Sequence, residues 1–177
     1  MSKGTLVLDE KALETELCKQ IASGEAARKA IRIDTQDKSC SLFDLLAGFE
    51  PEVIQDNSDW NDHKYLSQDL FGGITPDIVL RSKTSGENRI VIEVKKTSDF
   101  THKELDASQV LRYFLHLLAT TNKRPNGRAD ISRAVLLAAP KQWFESNSAK
   151  PWNHFLKQYQ PLATQFEIVL GNIILSA

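Results

Sequence analysis

Near the start of the chain apolar side chains recur at helical intervals. Leu13, Leu17 and Ile21 share one stripe with Glu10 and Glu14, Asp9 stands where an N-cap is wanted, and Ser23-Gly24 interrupts the pattern. The spacing predicts a helix whose inward side carries acids. Residues 28–34 fit either a short strand or a continued helix, and Ser41 to Leu46 reads as a short helix closed by Gly48. Glu50 to Gln68 is polar, with Asp56, Asp59, Trp60, Asp62 and His63, and reads as an ordered surface segment or flap. The period then changes. Residues 77–82 and 89–95 are β-branched, alternating runs separated by KTSGEN, the pattern of a hairpin. Glu104 to Thr120 returns to helical spacing, anchored by Leu105, Val110, Leu111, Phe114, Leu117 and Leu118. Ala134 to Ala139 is wholly apolar and ends at Pro140, as a buried central strand requires. Pro151 to Tyr159 predicts a further helix, and Phe166 to Leu175 one or two closing strands. This order predicts a single α/β domain over residues 1–177, a central mixed β-sheet flanked by α-helices.

Composition narrows the class. With 41% hydrophobic and 25% charged residues in 177 positions, the chain is neither disordered nor fibrous. No apolar run approaches the ~20 residues of a membrane span, and the first residues turn acidic before a signal-peptide core can form, so the expectation is an intracellular, cytoplasmic protein. Cys18 and Cys40 form no framework. His63, His102, His116 and His154 show neither HxH nor HExxH spacing, which argues against zinc hydrolase chemistry, and Gly72-Gly73 lacks the context of a phosphate loop. The net charge of −1 hides an asymmetry. Residues 1–80 hold 8 basic and 15 acidic side chains, residues 81–177 hold 14 and 8. Such polarity either marks a face for a polyanion or disappears when the fold mixes the halves.

The chemistry concentrates on the hairpin. In residues 90–95, Ile90, Ile92 and Val94 share one face, expected to be core, while Val91, Glu93 and Lys95 share the other. Glu93 and Lys95 then stand about 7 Å apart along the strand, close enough to address one small group. A turn centred on Ser85 sets Asp77 across from Glu93, and Ile78 and Leu80 beside Ile92 and Ile90; a slip by one residue would send Asp77 to the opposite face. Two carboxylates on adjacent strands suit a hard cation such as Mg2+, with the Val94 carbonyl as a third oxygen and Lys95 orienting a water or offsetting transition-state charge. The competing reading is an exposed Glu-Lys salt-bridge pattern on an edge strand.

Pro76-Asp77 at the start of one strand, fifteen intervening residues, then Glu93-Val94-Lys95 closing an apolar strand resembles the PD-(D/E)XK nuclease signature; the segments read TPDIVL and RIVIEVKKT. The resemblance implies a restriction-endonuclease-like core, with Asp77 and Glu93 as metal ligands, Lys95 as the catalytic lysine, Mg2+ as cofactor and Mn2+ able to replace it. It also implies an acid from the first helix, for which Glu14 and Glu10 are the candidates. Gln109 and Tyr113, one helical turn apart, resemble the QxxxY motif of RecB-type nucleases, whose side chains support the site. Lys96, Lys103, Arg112, Lys123, Arg124 and Arg128 are the candidates for gripping phosphates. The expected function is a Mg2+-dependent DNA endonuclease, acting as a homodimer or within a larger assembly that completes the DNA grip. An exonuclease or junction-resolving nuclease of the same superfamily, and an inert DNA-binding or assembly module, stay open.

Overall fold

The computed structural model describes residues 9–56, 76–84, 86–97, 109–120 and 133–176. Helix α1 (Glu10–Ala22) starts where Asp9 accepts a hydrogen bond from the Ala12 N–H at 2.7 Å, a cap worth about 1 kcal/mol. Leu13, Glu14, Leu17 and Ile21 are its buried positions. Gly24, at φ 122°, turns the chain into α2 (Glu25–Ala30) through a conformation that side chains disfavour. The segment that fitted either helix or strand is divided, since α2 stops at Ala30 and β1 (Arg32–Asp34) follows. β1 pairs with β2 (Ser39–Ser41), a strand too short to show a period in the sequence. Ser41 then caps α3 (Leu42–Leu46) in a reciprocal pair with Asp44.

The polar stretch after Glu50 does not begin as a surface segment. Pro51–Gln55 is β3, an edge strand paired with the hairpin. Its hydrogen bonds to a neighbouring strand decide its conformation, which side-chain polarity alone does not report. The rest of the predicted flap lies outside the described residues. β4 (Ile78–Ser82) and β5 (Asn88–Val94) pair Ile78 with Ile92, Val79 with Val91 and Leu80 with Ile90, the register expected of a turn at Ser85, until a bulge after Leu80 sets Arg81 against Asn88. Helix α4 (Gln109–Ala119) leads to β6 (Arg133–Pro140); the first turn predicted for this helix lies outside the described residues. After β6 come a short α5 (Lys141–Phe144), a 3-10 turn at Asn147–Ala149, α6 (Lys150–Gln165) and β7 (Ile168–Leu175).

Helix α6 runs beyond the end predicted at Tyr159 and carries Pro161 inside it. Proline removes one backbone hydrogen bond. The turn past it still forms because Ala163 is buried and Leu162 and Phe166 pack against the core.

The seven strands form one mixed sheet in the order β2-β1-β7-β6-β5-β4-β3. β5, β6 and β7 are parallel, joined by helical crossovers, and the remaining pairings are antiparallel. Gly171 on β7 lets β1 come close: a Cβ there would stand 2.9 Å from Ile33 Cγ2 and 3.1 Å from the Asp34 carbonyl oxygen. Alternation along the strands sorts side chains into two cores. Ile78, Leu80, Ile90, Ile92 and Leu136 meet Leu13, Leu17 and Ile21 of α1, while Val79, Val91, Val135 and Leu137 meet Phe114 of α4 and Trp152 and Phe155 of α6. Both faces of β5 are therefore covered, not one, and the strand lies third from the sheet edge, so Glu93 and Lys95 are not an exposed pair on an edge strand. Among the described residues no helix is long and apolar enough to cross a membrane.

Candidate functional site

At the open end of the β4–β5 hairpin the chain buries charge that the sheet does not need. Asp77, one residue before β4, is fixed by the Val94 N–H, which donates to Oδ2 at 2.8 Å, and its own carbonyl accepts from the Asp56 N–H at 3.0 Å. A strand residue sends its N–H and C=O to the same edge, so the Val94 carbonyl also faces the Asp77 side. Glu93, 3% exposed, accepts a 3.1 Å hydrogen bond at Oε2 from the Tyr113 hydroxyl on α4. The Lys95 Nζ lies 3.6 Å from Glu93 Oε1, and the backbone N–H of Lys95 donates to the Ala138 carbonyl at 2.9 Å, which extends the pairing with β6 past the end of β5. The motif's three charged side chains are thereby placed together by backbone pairing.

Helix α1 approaches from the opposite layer and contributes Glu14, buried, while Asp56, exposed, directly follows β3. One carboxylate oxygen from each of Glu14, Asp56 and Asp77 lies within 4.8 Å of the other two. Gln55 hydrogen-bonds Glu14 and donates to Thr15 Oγ1 at 2.9 Å, tying β3 to α1 beside the cluster. Lys11 pairs with Glu14 at 3.3 Å and also with Asp56. Glu10 accepts from the Lys96 N–H at 3.1 Å through Oε2 and its charge also raises Asp77, while Glu14 is the first-helix acid that stands in the carboxylate group.

Protonation equilibria record the crowding. Burial pushes the Glu93 carboxyl well above the ordinary range, the Asp77 charge adds to the rise, and Lys95 opposes it. Asp77 is raised by burial against the pull of the Val94 N–H, a hydrogen bond with Glu93 and the Lys95 charge. Glu14 is raised by burial and then by Asp77. Carboxylates held this close repel one another when ionised, and a divalent cation relieves that repulsion. The oxygen-only donor set of Glu14, Asp56 and Asp77 suits a hard ion such as Mg2+, while Glu93, an expected ligand, stands beside this group rather than within it.

Helix α4 turns a polar stripe of Gln109, Arg112, Tyr113 and His116 inward. Tyr113 reaches Glu93; Gln109 stands one turn before it, with its Oε1 buried and without a hydrogen-bond partner. The Arg112 guanidinium is buried as well, and its Nε has no partner. A buried polar atom left unpaired costs about 1–3 kcal/mol, so two on one stripe need an explanation. The Lys96 side chain is half-buried; Lys103, Lys123, Arg124 and Arg128 lie outside the described residues.

Comparison with family models, with curated proteins and with solved structures finds no match. A cavity of about 660 Å³ lined by Asp34, Asn153, Lys157, Gln160 and Asn172 lies at the other half of the sheet, between β1, β7 and α6, and includes none of the cluster. Asp56 is the residue that sequence reasoning missed. It lies in the polar segment whose pattern predicts a surface flap, and only recognition of residues 51–55 as a strand paired with β4 brings it to Asp77.

Proposed function

We propose that this chain is a Mg2+-dependent DNA endonuclease built on a restriction-endonuclease-like core. One observation carries the reading: half-buried Asp77 and buried Glu93 and Lys95 converge at the open end of a central hairpin, where Glu14 of α1 meets Asp77 and Tyr113 of α4 holds Glu93. Burying these charges destabilises the fold unless something is gained by it. Asp77, Glu93 and Glu14 are the residues that would hold the ion, with Asp56 able to join them. When bound, Mg2+ supplies Lewis acidity toward a phosphodiester oxygen and acidifies a water, with Mn2+ able to replace it. Lys95, held beside Glu93, would orient the attacking water and offset the charge that develops on phosphorus oxygens. Tyr113 would keep Glu93 in place while Val94 fixes Asp77. The Gln109–Tyr113 spacing, together with the Tyr113–Glu93 hydrogen bond, also supports a second reading, an exonuclease of RecB type.

The test is cleavage of linear, circular and branched DNA with Mg2+, Mn2+ or EDTA, alongside Asp77→Ala and Lys95→Ala. The expected result is metal-dependent nicking of the circle that both substitutions abolish. Cleavage confined to linear ends would favour the exonuclease, and cleavage confined to branched DNA a junction-resolving enzyme. No cleavage of any substrate, or activity indifferent to both substitutions, would leave an inert module on this fold.

A further inference from the structure

Lys11, in the first turn of α1, closes the carboxylate group on its solvent side. Its Nζ lies 3.3 Å from Glu14 Oε1 on the same helix and also meets Asp56 Oδ2 just past β3. It thereby bridges two of the three acids that each bring an oxygen within 4.8 Å of the others. Lys95 stands on the other side of the group, 3.6 Å from Glu93. The two lysines are not equivalent. Lys95 is buried, whereas the side chains of Lys11 and Asp56 are 56% and 50% exposed, so water can take over the Lys11 ammonium when it leaves. Each exposed pair is worth at most about 1 kcal/mol. An ammonium donates to carboxylate oxygens but cannot gather about six of them as Mg2+ does. Lys11 and a divalent ion would also repel one another across the same pair of acids.

We propose that Lys11 holds the Glu14 and Asp56 carboxylates while the site is free of metal and yields them to a divalent cation, so that metal binding and Lys11 release are one exchange. The proposal rests on the nuclease reading for the identity of the ion and adds a regulation to the same site: the apparent affinity is set by competition with a side chain of the chain itself. Lys11 stays tethered to α1 after release, so its charge remains beside the site.

The experiment follows acylation of individual lysines of the wild-type protein by an amine-reactive ester, read by mass spectrometry with and without Mg2+, and measures Mg2+ binding by calorimetry for wild type, Lys11→Met and Lys11→Arg. Lys29 is the internal control, since it is 55% exposed and paired with Glu25 at 2.8 Å on α2, outside the carboxylate group. The expected result is faster acylation of Lys11 when Mg2+ is added, with Lys29 unchanged. Lys11→Met should bind Mg2+ about three- to tenfold tighter, the combined worth of two exposed pairs. Lys11→Arg should bind it no tighter than wild type, because the guanidinium keeps a charged fork for the carboxylates. Lys11 acylation that stays the same at saturating Mg2+ would overturn the proposal even if Lys11→Met bound more tightly, because a nearby charge can weaken binding without being displaced; this arm needs no variant to fold. Equal Mg2+ affinity in wild type and Lys11→Met would overturn it as well. Failure of the nuclease reading looks different: Lys11 exchanges with Mg2+ as expected, yet no DNA is cleaved. Absence of Mg2+ binding in wild type and in Lys11→Met would overturn both.

Discussion

The Tyr113 hydroxyl donates a 3.1 Å hydrogen bond to Glu93 Oε2, joining the middle of α4 to the end of the central strand β5. Both groups are buried, so neither finds water when the bond is broken. Tyr113→Phe should destabilise the protein by about 1–2 kcal/mol, because Glu93 loses a donor in a dry environment. The donor also lowers the proton affinity of Glu93, so its removal should move the pH profile of cleavage toward higher pH while kcat falls about tenfold. Melting curves and a pH–rate profile check both. An unchanged profile would mean that Glu93 is not the group whose ionisation the reaction needs.

Asp77 carries two roles that one substitution separates. As an acceptor it holds the Val94 N–H, and as an anion it faces Glu14 and Glu93. Asp77→Asn keeps an oxygen for Val94 and removes the charge. In EDTA the variant should melt about 2–4 °C higher, corresponding to relief of about 1 kcal/mol of repulsion. The stabilisation that Mg2+ or Mn2+ gives wild type should be absent from it. A variant that melts lower in EDTA would show that the Asp77 charge contributes to the fold.

The hairpin register was legible because a turn centred on Ser85 sets Ile78 against Ile92 and Leu80 against Ile90, and a slip by one residue would have exchanged the positions of Asp77 and Ile78. Backbone pairing then carries Asp77 to Glu93 with no further information. The choice between Glu10 and Glu14 was not legible, since both lie on the inward stripe of α1 and periodicity treats them alike. Their difference depends on what each meets: Glu10 takes the Lys96 N–H while its charge still reaches Asp77, and Glu14 stands in the carboxylate group with Asp77. Asp56 was hidden by its polar surroundings, because β3 is held by edge pairing and has no strong apolar pattern. Arg112 was readable as a cation but not as a buried one, since its burial comes from the packing of α4 into the domain.

His116 gives the fold an acid sensitivity independent of the carboxylates. Burial lowers its pKa from 6.5 to about 4, so at intermediate pH the unfolded chain takes up a proton that the folded one refuses. Stability from this residue is therefore complete above the unfolded value and is lost as pH falls from 6.5 toward 4, by at most about 3 kcal/mol. His116→Gln should flatten the slope of unfolding free energy in that window, with its side-chain oxygen still available to the Asn88 amide. Chemical denaturation at a series of pH values measures the slope; an identical slope in the variant would assign the effect elsewhere.

The three raised carboxyls make the opposite prediction. A carboxyl whose folded pKa stands above its unfolded value adds stability below the unfolded value, and this is lost as pH rises through the folded one. Glu14, Asp77 and Glu93 therefore make the metal-free protein weaker as pH climbs from the ordinary carboxylate range. A divalent ion binds the ionised forms and must expel the protons they retain, so its affinity should increase from about pH 5 to 8. Calorimetry of Mn2+ binding in two buffers of different ionisation enthalpy would give the number of protons released. Glu14→Gln should lower that number and also weaken binding, since it removes both a proton and a ligand. Proton release that stays the same in Glu14→Gln would place the ion on Asp77 and Glu93 without the helix acid, and would leave the Glu14 burial to be explained by Lys11 and Gln55 alone.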